Sequence, residues 1–366
     1  MSVDDSKKLQ ELRERLGQVD AAILDLVAQR QSIATEIGRI KTSIGKSTRD
    51  FSQEKDVALR ARNAAQSLGL DPNLAEEIVL LLIRASLTAQ EQDRVQLSGE
   101  GKGRRVLLIG GAGKMGGWLA RFLASQGFSI EIADPSGGSG DFLHIRDWRT
   151  STLDQDIIIV AAPLRISGLI LEELAQRRPR GVVFDIGSLK TPLRAGLTAL
   201  RDAGVAVTSI HPMFGPDTEL LSGRHIIFVD VGHSEATRAA RELFASTMVV
   251  QVAMDLESHD RVISYILGLS HAVNIAFLAA LARSGEDAER LKNLSSTTFD
   301  AQLDVARRVS QENPHLYFEI QNLNQHGPAA LDGLLSTLAQ LSESVRGGDE
   351  DAFISMMREG DDYLRR

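Results

Sequence analysis

Three groups of residues in this chain are of types that bind anions or move protons. The first is Gly110-Gly111-Ala112-Gly113-Lys114-Met115-Gly116. It follows an apolar run, Val106–Ile109, that reads as a buried strand. It precedes an amphipathic helix with Met115, Leu119, Phe122 and Leu123 on one face. Gly111, Gly113 and Gly116 fit G-x-G-x-x-G, in which the first glycine makes a tight turn, the second lets the backbone approach a pyrophosphate and the third lets helix and strand pack closely. The helix start then offers free N–H groups and a positive dipole end to the phosphates. A second strand, Ser129–Ala133, closes on Asp134, about where an acid, roughly 20 residues on, bonds the ribose 2′-hydroxyl. That anion repels a 2′-phosphate, and no Arg or Lys follows before Arg146. The expected cofactor is therefore NAD, held by Gly111, Gly113, Lys114, Met115, Gly116 and Asp134.

The second group sits at strand ends. Asp156–Val160 empties into Ala161-Ala162-Pro163, Val182–Asp185 into Ile186-Gly187-Ser188-Leu189-Lys190, and Val205–Ile210 into His211-Pro212-Met213-Phe214-Gly215-Pro216. Ligands of a doubly wound sheet bind outside the carboxyl ends of its strands. Ala162 and Pro163 are thus expected against the cofactor, and Ser188 and His211 in the crevice with the nicotinamide.

The third group is cationic. Residues 7–45 read as one long helix with apolar residues at Leu9, Leu12, Leu16, Val19, Ile23, Leu26, Ile33, Ile37, Ile40 and Ile44. The spacing alternates three and four, a seam suited to packing against other helices. Extending it places Arg30 on the seam, where a guanidinium is costly unless an anion meets it. Lys41 stands three turns on, about 16 Å along the axis, facing the same way. Arg13 lies about 25 Å before Arg30 and off that face, so it reaches the same small ligand only from a partner chain. A second helix, about 51–68, opens with Asp50 and Glu54 four apart. A third, about 72–93, carries Ser86 and Gln90 four apart on one face. Individually, Asp50, Glu54 and Ser86 also suit a plain solvated helix surface.

The passages LRERLGQVDAAILDLVAQR, IGRIK, RDFSQE and SLTAQ resemble the all-helical chorismate mutases, intertwined dimers of three-helix chains. The resemblance implies that Arg13 of the partner and Arg30 hold substrate carboxylates, with Ser86 on a carboxylate too. Lys41 and Gln90 would face the ether oxygen, and Asp50 and Glu54 the hydroxyl side. Gln53 stands where that family usually has Arg. These residue types suit the chemistry: a pericyclic rearrangement needs a compact conformer and donors on an oxygen that gains charge, with no nucleophile or metal.

VLLIGGAGKMGG, FDIGSLK and IHPMFGPD together resemble prephenate dehydrogenases, most closely the form fused to chorismate mutase. The resemblance assigns His211 to accept the proton of the substrate's 4-hydroxyl as hydride leaves, Ser188 to orient that hydroxyl, and Lys190 to the substrate site; capping or solvated charge is the alternative for Lys190. Strands His225–Val231 and Met248–Ala253 complete the nucleotide domain. Helices are expected from Asp255 onward, about 256–283, 286–311, 315–326, 329–346 and 349–364, the first largely apolar as if buried between subunits. This part resembles the family's dimerisation domain. RRVSQENPHLYFEI places Arg308 six residues before Pro314, where the family carries a substrate-binding Arg. His259-Asp260 matches a family dipeptide and reads as structural; His271 reads equally as core or pocket.

Composition narrows the remaining classes. Net charge is −8 and the chain has no cysteine, which gives no basic surface for nucleic acid and removes disulfides, thiolate metal sites and thiol catalysis. The polar start, MSVDDSKKLQ, reads as no signal peptide, and no apolar run reads as a membrane span. The expectation is a cytoplasmic homodimer without metal. Its fold class is multidomain: a chorismate mutase-like helical domain (1–93), a linker (94–105), a Rossmann doubly wound nucleotide-binding domain (106–254) and a helical dimerisation and substrate domain (255–366). The resemblance implies conversion of chorismate to prephenate and then, with NAD, to 4-hydroxyphenylpyruvate, and feedback control by tyrosine. The alternatives are a prephenate or arogenate dehydrogenase carrying a non-catalytic N-terminal dimerisation module, and a nucleotide-sensing protein without turnover.

Overall fold

A computed structural model describes residues 3–137 and 142–366. The chain begins with three helices, α1 (Val3–Ser43), α2 (Phe51–Leu68) and α3 (Pro72–Leu97). Each start has its local reason. Asp50 caps α2 by accepting the Gln53 N–H at 3.0 Å, and Asp71 caps α3 ahead of Pro72 at the first helical position. Gly69 ends α2 in the left-handed conformation at φ 68°. Helix α3 runs four residues into the segment expected as linker, because TAQEQDRVQL holds no glycine or proline before Ser98.

Strands and helices then alternate: β1 (Arg105–Ile109), α4 (Lys114–Ser125), β2 (Ser129–Ala133), β3 (Leu143–Ile145), β4 (Ile157–Val160), α5 (Leu164–Arg177), β5 (Val182–Asp185), α6 (Arg194–Asp202), β6 (Val207–Pro212), β7 (His225–Val229), α7 (Ser234–Glu242) and β8 (Val250–Met254). The strand order is β3-β2-β1-β4-β5-β6-β7-β8. The β2–β1 and β5–β6 ladders are parallel, as crossover connections require. Strand β3 was not expected from the sequence; LHI is too short to show a period. The remainder is helical: α8 (Leu256–Ile263), a π-helical turn Ser264–Leu269, α9 (Ser270–Arg283), α10 (Ala288–Asn293), α11 (Thr297–Ser310), α12 (Pro314–Leu323), α13 (Gly327–Gly347) and α14 (Glu350–Leu364).

These elements form two compact units. One comprises residues 1–157, 212–226 and 238–252, the other residues 158–211, 227–237 and 253–366. The first has its core in fully buried Val106, Leu107, Leu108, Ala120 and Leu123, together with the stacked rings of Trp118, Phe122 and Phe244. In the second, Ile158, Ile159, Leu171, Leu174, Val183, Leu193 and Leu197 are likewise inaccessible. The runs IIIV and VVFD are buried along nearly their whole length, which is the signature of parallel strands covered on both faces.

Two apolar segments bear on the expectations above. The α1 seam is not buried within the chain: Leu12, Leu16, Ile23 and Ile33 are 51%, 61%, 52% and 60% exposed. The span Leu256–Arg283 is, by length and hydropathy, long and apolar enough to cross a membrane. It is no uniform apolar rod, since it is interrupted by the π turn and buries His259, Asp260, His271 and Asn274.

Candidate functional site

In the helical part of the first unit, α3 presents polar side chains to α1. Nη1 of Arg30 donates to the Leu82 carbonyl at 2.9 Å and to Ser86 Oγ at 2.6 Å, so the guanidinium has fixed neighbours. Gln90 Nε2 donates to the Ala34 carbonyl. Gly38 makes that approach feasible, since a Cβ there would come within 2.7 Å of Gln90 Cγ. Lys41 Nζ donates to the Thr48 carbonyl at 3.1 Å. Arg30, Ser86, Lys41 and Gln90 are thus each held by a hydrogen bond between segments of the three-helix bundle. Arg13 lies on an exposed stretch of α1.

Two carboxylates of the expected set have partners within this chain. Asp50 is occupied as the α2 cap, because an extended residue preceding a helix start offers its carboxylate to the nearest free N–H. Glu54 is clamped by Arg49 through bonds of 2.9 and 3.0 Å. Arg49 also donates to Ser222 Oγ at 2.8 Å. Sequence reading passed over Arg49, whose signal was a cation five residues before Glu54. Glu91, next to Gln90, is 3% exposed and accepts the backbone N–H groups of Leu221 and Met248. Burial pushes its carboxyl up despite those two donors.

The glycine turn of the same unit has the geometry of a dinucleotide cradle. Gly110 turns at φ 86°. A Cβ on Gly116 would stand 2.6 Å from the Gly110 carbonyl oxygen, and one on Gly111 2.9 Å from Ile132 Cγ2. Gly116 thus meets backbone and excludes a side chain, and a side chain on Gly111 would force Ile132 to shift. Gly113 caps α4 without a side chain, and Gly113 and Lys114 are exposed, leaving the first N–H groups of α4 open to an anion. Met115 and Gly116 complete the first turn. Asp134, at the end of β2, accepts from Ala112 N at 3.2 Å and Ser136 N at 2.9 Å. Its carboxylate is thereby pinned beside the glycine turn. These residues fit NAD.

The second unit holds a buried polar cluster. His211 belongs to β6 rather than to the loop after it and is 3% exposed. Its Nδ1 lies 3.0 Å from His259 Nε2. His259 Nδ1 lies 2.6 Å from Asp260 Oδ1. Asp260 also accepts from Lys190 N at 2.8 Å and from Thr191 N and Oγ1. Burial, then the neighbouring His259 and Lys190, hold the His211 imidazole well below the usual histidine range, so it is neutral near pH 7.

Lys190 is not solvated. Its side chain is fully buried, with Nζ 2.8 Å from each of Asp185 Oδ1, the Gly187 carbonyl and the Ile210 carbonyl. All three ammonium donors are therefore used inside the protein. The two carbonyls precede Ser188 and His211 directly, so Lys190 ties together the segments carrying both. Ser188 is partly exposed on its loop. The Ala162 carbonyl accepts from Ser167 Oγ at 2.8 Å, and Pro163 is the N-cap residue of α5.

His271 packs edge-on to Tyr317 with ring centroids 4.1 Å apart. Its Nδ1 is buried without a hydrogen-bond partner among the described residues, and burial lowers its pKa to about 4. Arg308 is exposed in the last turn of α11. Among the described residues no group of His, Asp and Glu has the arrangement of a metal site.

Comparison with known proteins matches three family models in succession. They are chorismate mutase type II over residues 12–91, the prephenate dehydrogenase nucleotide-binding domain over 142–252 and the prephenate dehydrogenase dimerization domain over 255–359. The glycine turn lies upstream of the second match. The T-protein of Enterobacter agglomerans is 26% identical over 352 residues, spanning 95% of this chain and 91% of its own. A chorismate mutase of Methanocaldococcus jannaschii is 31% identical over 86 residues, 24% of this chain and 87% of that protein. In fold, the chain resembles the prephenate dehydrogenase of Aquifex aeolicus solved with hydroxyphenyl propionate and NAD+, with a TM-score of 0.58 at 19% identity, over 72% of this chain and 97% of that one.

Proposed function

The chain belongs to the bifunctional chorismate mutase/prephenate dehydrogenase family, and from that premise we propose how its residues divide the work. It is a two-activity enzyme of tyrosine biosynthesis, converting chorismate to prephenate and then, with NAD, to 4-hydroxyphenylpyruvate and CO₂. At the mutase site Arg30, with Ser86 beside it, takes a substrate carboxylate, and Arg13 of a second copy takes another. Lys41 and Gln90 place donors on the ether oxygen as its C–O bond lengthens. The second copy covers the exposed α1 seam, which makes a homodimer.

At the dehydrogenase site NAD supplies the hydride acceptor. His211 takes the proton of the 4-hydroxyl as hydride leaves C4, and Ser188 orients that hydroxyl. The ring carboxylate departs as CO₂, its electron pair entering the ring. The oxygen at C4 then recovers a proton from His211, leaving a phenol, so aromatisation drives the reaction. Arg308 takes a substrate carboxylate, and Ala162 and Pro163 lie along the nucleotide. Inhibition by tyrosine and a cytoplasmic location belong to the same proposal. The observation that carries it is a buried, neutral His211 held by a fixed partner.

A coupled assay tests it, with chorismate and NAD as reactants and NADH absorbance as readout. His211→Asn should still consume chorismate without making NADH, while Arg30→Ala should make NADH only from supplied prephenate. If wild-type protein oxidises prephenate but leaves chorismate untouched, the mutase assignment falls.

A further inference from the structure

Burial alone does not make His211 a base. A neutral imidazole carries one proton, and if that proton sits on the nitrogen facing the substrate there is no lone pair to accept another. The structure assigns this choice to two residues outside the reacting groups: we propose that His259 and Asp260 are positioning residues that hold His211 in its Nδ1-protonated form. The proposal rests on His211 being the base and specifies what keeps it one.

Counting donors settles where the protons lie. Asp260, 1% exposed, faces the N–H groups of Lys190 and Thr191 and the Thr191 hydroxyl. It is therefore an acceptor, and the 2.6 Å bond to His259 Nδ1 places a proton on that nitrogen. His259 is fully buried, and burial lowers its pKa, so it carries no second proton. Its Nε2 must accept. The partner 3.0 Å away is His211 Nδ1, which must donate. The single proton of neutral His211 is thus on Nδ1, and Nε2 is bare.

The converse is equally constrained. A second proton on His259 would make its Nε2 a donor, move the His211 proton to Nε2 and remove the base. Besides burial, the Lys190 ammonium opposes that proton. Asp260 and Asp185 favour it, but Asp260 is shared among the other donors and Asp185 holds Lys190. When His211 accepts the substrate proton, its Nδ1–H remains bonded toward His259, which is in turn bonded to the carboxylate. Asp260 and His259 therefore orient the ring in both of its charge states, as the third member of a nucleophile–base relay does.

The test has two readouts on the full-length enzyme. Two-bond ¹⁵N–¹H spectra of histidine-labelled protein, with His211 assigned from the spectrum of His211→Asn, report the tautomer without any turnover. The expected wild-type result is Nδ1–H with an unprotonated Nε2. In Asp260→Asn the amide offers a donor to His259 Nδ1, so the His211 proton should move to Nε2. Steady-state kinetics with prephenate and NAD form the second readout. Asp260→Asn and His259→Leu should lower kcat by about 10²- to 10⁴-fold, on the scale known for a mis-set catalytic tautomer, with the prephenate KM changed only a few-fold. His259→Gln, whose carbonyl oxygen can accept from His211 Nδ1, should recover at least about tenfold over His259→Leu. Mutase activity of each variant reports that the chain has folded. An Nε2–H tautomer in the wild type, or a Gln variant no better than Leu, overturns the proposal. Absence of prephenate oxidation in the wild type would instead overturn the assignment of His211 as base, while the tautomer spectrum still judges the relay.

Discussion

Replacing Lys190 by Met separates a buried strut from a substrate ligand. The Lys190–Asp185 pair is 0% exposed on both sides, and Asp185 Oδ2 already has no hydrogen-bond partner among the described residues. Removing the ammonium leaves a buried carboxylate holding only the Gly187 N–H and strips a donor from the Gly187 and Ile210 carbonyls. Breaking a buried pair from one side costs about 3–5 kcal/mol. At about 2–4 °C per kcal/mol for a unit of this size, Tm should drop by about 10 °C. Burial shields the pair from ions, so the loss should persist at high salt. Adding Asp185→Asn removes the stranded charge and should recover part of the loss. The assay is thermal unfolding at neutral pH, with prephenate KM measured well below the transition. The expected variant is less stable, with a lowered kcat because Ser188 and His211 lose their common tie, and with KM nearly unchanged. A Tm equal to wild type with KM raised tenfold or more would refute this and return Lys190 to the substrate.

Because His211 is held well below the usual histidine range, kcat/KM for prephenate should stay flat from about pH 8 down past 6.5 and fall only on further acidification, with the fall shifted from an ordinary histidine's. His271 makes a stability prediction. Its pKa of about 4 in the fold, against about 6.5 unfolded, gives stability that is present above pH 6.5 and lost as pH falls toward 4, about 3 kcal/mol in all. His271→Phe keeps a ring against Tyr317 and should flatten that part of a denaturation-versus-pH curve. Gly116→Ala places a methyl 2.6 Å from the Gly110 carbonyl and should weaken NAD binding by at least about tenfold in a fluorescence titration, while chorismate turnover persists. Asp134→Ser should narrow the preference for NAD over NADP, measured as the ratio of their kcat/KM values, by removing the anion that repels a 2′-phosphate.

What the sequence determined by itself was local. Periodicity and caps gave α2 its limits and α1 and α3 to within a few residues, since Asp50, Gly69, Asp71 and Pro72 act through neighbouring backbone groups. G-x-G-x-x-G with Asp134 gave the nucleotide turn, because the constraint there is steric and spans few residues. The long spans 256–283 and 286–311 broke into shorter helices, since the π turn Ser264–Leu269 and the Leu294–Ser296 interruption leave the apolar pattern almost unchanged. The tertiary structure decided the partners of buried polar groups. Nothing in the sequence marks that Asp185, Gly187 and Ile210 enclose the Lys190 ammonium. His259 is 48 residues from His211, and Glu91 is 130 and 157 residues from the N–H groups it accepts. A buried donor must find an acceptor wherever the fold brings one, and no spacing in the chain records which one that will be.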